Sequence, residues 1–169
     1  MSGNELLIDG FGRIREIVHE VLDGLDNTEL QYRAGPDANS ICWQIWHLTR
    51  VQDDHVADAG NLAQVWLTAG WQERFGLPLD DADTGYGHTS DQVAVVRAPA
   101  DLLAGYHDAT YDQTIEFVRG LTDADMEKIV DRRWDPPVTM GVRLVSVLGD
   151  DLEHAGQAAF IRGLIERPR

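Results

Sequence analysis

Residues 5–25 read ELLIDGFGRIREIVHEVLDGL, and within them Leu7, Phe11, Ile14, Val18, Val21 and Leu25 recur at alternating steps of four and three. Such steps follow the 3.6-residue turn and place one apolar stripe on one face of a helix; a half-buried strand would alternate every second residue. Beyond this helix, Gly35-Pro36-Asp37-Ala38-Asn39 is a turn cluster. Asn39 or Ser40 then offers an N-cap for a second helix over about 40–59, rich in Ile41, Trp43, Ile45, Trp46 and Leu48.

The chain from Gly60 to Ala98 is less regular, with a short helix expected within Asn61–Gly70 and a Gly-, Asp- and Thr-rich loop from Gly76 to Ser90. Pro99 suits the first position of a third helix over about 99–119, with Leu103, Tyr106, Phe117 and Val118 inward and Gly120 as its C-cap. Thr122 caps a short turn reaching Ile129, and Trp134-Asp135-Pro136-Pro137 cannot continue a helix. Thr139 caps a fourth long helix over about 140–166. Strand signals are poor, limited to β-branched content in Val93–Val96 and Val142–Leu148. Four helices of about 20 residues, each about 30 Å long, predict an all-α four-helix bundle with a long connection between the second and third helices.

The 169 residues fit one domain, predicted to span 1–169, and 43% hydrophobic with 25% charged residues is ordinary globular composition. One cysteine, Cys42, leaves no internal disulfide and no Cys-rich zinc module. The 14 basic against 29 acidic residues give a net charge of −15, which repels nucleic acid and anionic membrane surfaces. With no secretory signal and no apolar run of membrane-spanning length, the expected location is the cytoplasm. A homodimer through helix faces is compatible with the pattern.

The densest chemistry lies in Asp150-Asp151-Leu152-Glu153-His154 on the fourth helix. At about 100° per residue, Asp150 lies about 40° from His154 and Asp151 about 60° away on the other side. Val147, Ala158, Ile161 and Ile165 share that face, so His154 and at least one carboxylate point toward the core, where a charge requires a partner or a metal. On the second helix, His47 shares its face with Trp43, Val51 and Asp54. One His from one helix and an Asp-x3-His pair from another match a metal site with open coordination positions. The same residues also suit a core histidine hydrogen-bonded to a carboxylate.

Trp43-Gln44-Ile45-Trp46-His47-Leu48-Thr49-Arg50, taken with Asp150 through Gly163, resembles the DinB-like superfamily. The match is best to the actinobacterial branch that holds mycothiol-dependent maleylpyruvate isomerase and the mycothiol S-transferases. It covers essentially the whole chain, including the stretch from Gly70-Trp71 to Gly87-His88 and Trp134-Asp135-Pro136-Pro137-Val138-Thr139. The resemblance implies a four-helix bundle with one divalent metal held by three ligands at one end of the core. His47 and His154 align with the first and last ligands. The middle ligand, four residues before the last, is His in many members and Glu in the isomerase; here it is Asp150. Because Asp is one methylene shorter than Glu, the metal would sit closer to the fourth helix, or Asp151 would substitute.

Two histidines and a carboxylate suit zinc, the first choice, and also nickel, manganese or iron(II). The implied chemistry is activation of mycothiol as thiolate for attack on an electrophilic small molecule, a detoxification reaction. A thiol of pKa about 8.5 is mostly protonated at neutral pH until a metal or a cation favours the anion. Hydrolysis, a thiol-dependent isomerisation and a non-catalytic, metal-stabilised binding module are the alternatives within this fold.

Other residues carry two readings each. Trp43 would wall a substrate pocket or belong to the core. Tyr86 and His88, in Gly85-Tyr86-Gly87-His88, would cover the metal end or form a plain surface turn. Arg143 would bind an anionic substrate group or pair with an acid. Cys42, about 140° from the His47 face, is expected to pack away from the site, His55 to be solvated or capping, and Asp54 to orient a ligand or form a salt bridge.

Overall fold

The computed structural model of the chain describes residues 2–167. Four long helices carry the architecture: α1 (Gly3–Leu22), α3 (Ile41–Gly60), α7 (Ala100–Arg119) and α9 (Met140–Glu166). Between α1 and α3 lies the single turn α2 (Asn27–Leu30). The long connection from α3 to α7 carries α4 (Val65–Thr68), α5 (Trp71–Phe75) and α6 (Ser90–Val95). The short helix α8 (Asp123–Met126) and a two-stranded antiparallel sheet, β1 (Ile129–Asp131) with β2 (Val138–Thr139), lead into α9. The bundle closes because α3 packs on α7 and α9, and α1 packs on the same two helices. This is the all-α bundle that the apolar spacing predicts.

Local signals fix most boundaries. Ser40 Oγ accepts from Trp43 N (3.1 Å), starting α3, and Thr139 Oγ1 accepts from Val142 N (3.4 Å), starting α9. The stripe Leu7, Phe11, Ile14, Val18 and Val21 is buried as expected, but α1 stops at Leu22 and Leu25 packs against the core from beyond the helix. The structure adds detail at three further places. Pro99 is the N-cap of α7, with ψ 159°, and not its first helical residue. Val93 and its neighbours form α6, capped by Thr89 and Gln92 in a reciprocal pair, because that cap outweighs β-branched propensity over so short a run. Ile129 belongs to a strand, paired with Thr139 across the Pro-rich turn.

Helix α3 is buried nearly all round, from Ile41 through Asp53 without interruption. One side faces the bundle; the connection covers the other, with Trp66, Trp71 and Phe75 packed around Tyr106 of α7 at ring-centroid distances of 5.0, 5.8 and 5.8 Å. A helix buried on all faces must satisfy its polar side chains internally, and this requirement organises the site described below. Cys42 is one such residue: it is fully buried, its thiol meets the carbonyl of Ala98 at 3.7 Å, and burial pushes its pKa up to about 11. No helix among the described residues is long and apolar enough to cross a membrane.

The core also holds His107 of α7, 0% exposed, with neither ring nitrogen hydrogen-bonded within the described residues. Burial holds its pKa down at about 4. The fold therefore favours the neutral ring, so its contribution is fully present above the unfolded-state value of about 6.5 and is lost as pH falls toward 4. That window corresponds to about 3 kcal/mol. Urea unfolding is expected to show a stability drop between pH 7 and pH 4.5 that shrinks in His107→Leu; an identical drop in the variant would exclude His107 as its source.

Candidate functional site

The sequence separates His47 from Asp150 and His154 by about a hundred positions, and the antiparallel packing of α3 on α9 brings them together. One ligand-capable atom from each lies within 4.8 Å of the others. The His47 and His154 rings meet edge to face, with centroids 4.5 Å apart. His154 Nε2 lies 3.8 Å from Asp150 Oδ1.

The hydrogen bonds of the two rings determine what they can do. His47 Nδ1 contacts the carbonyl oxygen of Thr84, and His154 Nδ1 contacts Oε1 of Gln44. Both partners are acceptors, so each Nδ1 carries the proton and each Nε2 presents a lone pair. Gln44 is held in the matching orientation because its amide Nε2 donates to Gln157 Oε1 (2.8 Å). Burial lowers the pKa of both histidines, which keeps them neutral at pH 7. Oδ2 of Asp150 is inaccessible and has no hydrogen-bond partner among the described residues. Two oriented imidazole rings and a carboxylate whose ligand-capable atoms lie within 4.8 Å of one another fit a divalent cation, and the carbonyl partners of the rings are the outer support such sites use.

Thr84 reaches His47 because its loop is fastened from below. Arg50, 0% exposed, donates from Nε to the carbonyl of Asp83 (3.1 Å), from Nη2 to that of Asp81 (3.3 Å) and from Nη1 to Gln64 Oε1 (3.0 Å). Its guanidinium lies over the Trp66 ring at 5.0 Å. The Asp83 carboxylate accepts from Gly85 N (2.7 Å) and from His88 Nε2 (3.0 Å), and His88 Nδ1 accepts from Trp43 Nε1 (3.1 Å). Trp43 stacks on His47 at 4.4 Å.

Gly85 completes the approach. Its φ is +91°, and an added Cβ would lie 2.9 Å from His47 Nδ1 and 3.0 Å from Trp46 Cζ3. Both the left-handed backbone and the contact exclude a side chain. Gly85→Ala is expected to cost about 1–3 kcal/mol of stability and to weaken metal binding by displacing Thr84; unchanged metal affinity in the variant would show that the loop does not hold His47.

A cavity of about 420 Å³ opens beside the triad, lined by His47, Val51, Asp54, His55, Thr84, Tyr86, Trp134, Arg143, Ser146, Val147 and Asp150. Tyr86 and Arg143 stand on its wall. Trp43 and His88 do not: they lie behind His47 and support the ring and its loop, because Trp43 uses its face on His47 and its N–H on His88. Arg143 also takes its ion-pair reading, with Nη2 2.9 Å from Asp131 Oδ2. The His55 side chain is 38% exposed, in keeping with partial solvation. It lines the cavity with Nδ1 3.4 Å from Arg143 Nη1, and burial lowers its pKa. Asp54 is on the wall and accepts from Gln64 Nε2 (2.8 Å).

Asp151 is not part of the described cluster of His47, Asp150 and His154. It is 0% exposed on the core side of α9, neither carboxylate oxygen has a partner among the described residues, and burial raises its pKa well above the carboxylate range. The 60° offset from His154 carries it past the cavity into the apolar stripe. Sequence reading missed Gln44, the Thr84 carbonyl and Trp134 as parts of the site; Gln44 precedes His47 by three residues on one helix face, which is the signal that would have found it.

Comparison with known proteins bears on the fold and the family. A crystal structure of a conserved protein from Enterococcus faecalis superposes with a TM-score of 0.89 at 30% sequence identity, covering 96% of each chain. No curated protein sequence matches the chain. The family model for mycothiol-S-transferase matches residues 6–167, and with that coverage of a DinB-like bundle the chain belongs to the mycothiol-S-transferase family.

Proposed function

We propose that the protein is a metal-dependent S-transferase that joins mycothiol to electrophilic small molecules, with His47, Asp150 and His154 as the metal ligands. The observation that carries this reading is the pair of neutral histidines whose Nδ1 protons are committed to Thr84 and Gln44, leaving both Nε2 lone pairs free in a cluster where one ligand-capable atom of His47, Asp150 and His154 each lies within 4.8 Å of the others. Zinc is the first choice, with nickel, manganese or iron(II) as the other ions that such donors accept. When bound, the ion supplies Lewis acidity that favours thiolate over thiol near neutral pH.

The chain's own residues do the rest. Cys42 is too buried and too basic to serve as nucleophile, so the thiol comes from the cosubstrate. Val51 and Val147 give the cavity part of an apolar lining, and Arg143 and His55 part of a polar one. In the reaction the thiol proton leaves to solvent, a carbon–sulfur bond forms, and the bond from that carbon to its leaving group breaks with both electrons.

The test is metal content with thiol and electrophile consumption, in wild type beside His47→Ala and His154→Ala. One metal per chain, mycothiol consumed one for one with the electrophile, and loss of both in the folded variants are the expected results. Thiol returned unconsumed would make the protein an isomerase. Ester or amide cleavage without thiol would make it a hydrolase. Metal loss accompanied by loss of helicity would make the site structural.

A further inference from the structure

Tyr86 is 93% exposed and Trp134 66% exposed, yet both line the cavity whose floor is His47 and Asp150. They come from loops some fifty residues apart in sequence, so the fold, not local sequence, sets both at one opening. Each loop is braced. Tyr86 stands between Gly85 (φ +91°) and Gly87 (φ +74°), and the Asp83 carboxylate ties Gly85 N and His88 Nε2 on either side of it. Trp134 follows Arg133, whose guanidinium grips both oxygens of Asp131 at 3.0 and 2.8 Å. Two large aromatic faces held in water by ordered loops are a prepared contact surface.

We propose that Tyr86 and Trp134 form a stacking subsite for the carbohydrate-like part of the thiol cosubstrate, the glucosaminyl-inositol unit that carries the cysteinyl thiol in mycothiol. This rests on the reading that the cosubstrate sulfur reaches the His47–Asp150–His154 cluster. With sulfur at the floor, the electrophilic carbon must come within about 3–3.5 Å of it, so the electrophile occupies the depth of the cavity. The hydrated, polyhydroxylated end of the thiol then has to leave through the opening, where the two aromatic residues stand. The C–H faces of six-membered rings pack on aromatic faces, and the Asp54 carboxylate and Ser146 hydroxyl on the same wall offer partners to ring hydroxyls.

The experiment titrates glucosaminyl-inositol, which has no thiol, into the protein by calorimetry, with and without metal. Wild type is expected to bind it equally in both forms, and Tyr86→Ala and Trp134→Ala are each expected to weaken binding by about five- to tenfold. Tyr86→Phe, which keeps the ring face, is expected to retain it. The kinetic preference for mycothiol over N-acetylcysteine is expected to fall by the same factor in both alanine variants. Unchanged binding of the sugar probe in those variants would overturn the subsite, as would an effect confined to the KM of the electrophile. His47→Ala separates the two proposals. Retained sugar binding with lost conjugation supports both, whereas sugar binding through the rim in a wild-type protein that conjugates no thiol would refute the transferase and leave the subsite standing.

Discussion

Replacing Arg50 with Met is expected to cost about 3–5 kcal/mol of folding stability, read as a lower urea midpoint at unchanged slope. The guanidinium is wholly buried and joins three parts of the fold: the loop carbonyls of Asp81 and Asp83, Gln64 before α4, and Asp53 on its own helix at 3.8 Å. Asp53 is itself committed, accepting from Val65 N (2.9 Å), Trp66 N (2.7 Å) and the Tyr106 hydroxyl (2.8 Å). Removing the cation strands a buried carboxylate and several carbonyls at once, which is the costly way to break such a network. Arg50→Lys should recover only part of the loss, because an ammonium supplies charge without the planar fork. A midpoint change worth less than 1 kcal/mol in Arg50→Met would show that the network is not holding the connection in place.

Metal binding should divide the two adjacent acids of α9. Asp150→Ala is expected to reduce metal affinity by at least about a hundredfold, since it removes a ligand outright, where loss of a supporting hydrogen bond already costs about 10–100-fold. Asp151→Ala is expected to keep one metal per chain and to raise stability at neutral pH by about 1–3 kcal/mol, the scale of a buried polar group without a partner. The sign follows from its raised pKa. The folded state holds the acid neutral, and the unfolded chain ionises above about 4, so the wild-type residue opposes folding more as pH rises and its removal helps most on the alkaline side. Equal metal loss in both variants, measured by elemental analysis of the folded proteins, would overturn the assignment of Asp150.

The residues at α3 and α9 explain how much of the candidate cluster is legible in the sequence. His47, Asp150 and His154 lie on long helices whose 3.6-residue period fixes which side chains share a face, and i, i+4 spacing makes Asp150 and His154 neighbours whatever the rest of the chain does. The same period, read from Leu7 to Val21 and from Ile41 onward, predicts the bundle. Asp151 shows the limit of that reading: a 60° offset is known from spacing, but whether it ends in a cavity or in a core depends on the helix packed opposite.

What the sequence determined by itself is therefore the set of long helices, their apolar faces and the i, i+4 pairing of Asp150 with His154, because these follow from local periodicity. Tertiary structure alone decided the rest: the Thr84 carbonyl on His47, the Gln44–Gln157 pair behind His154, the placing of Trp43 and His88 behind the site, and the cavity opening between Tyr86 and Trp134. Those contacts join segments far apart along the chain through loops that have no period, and their geometry exists only once Arg50 has fastened the connection to α3.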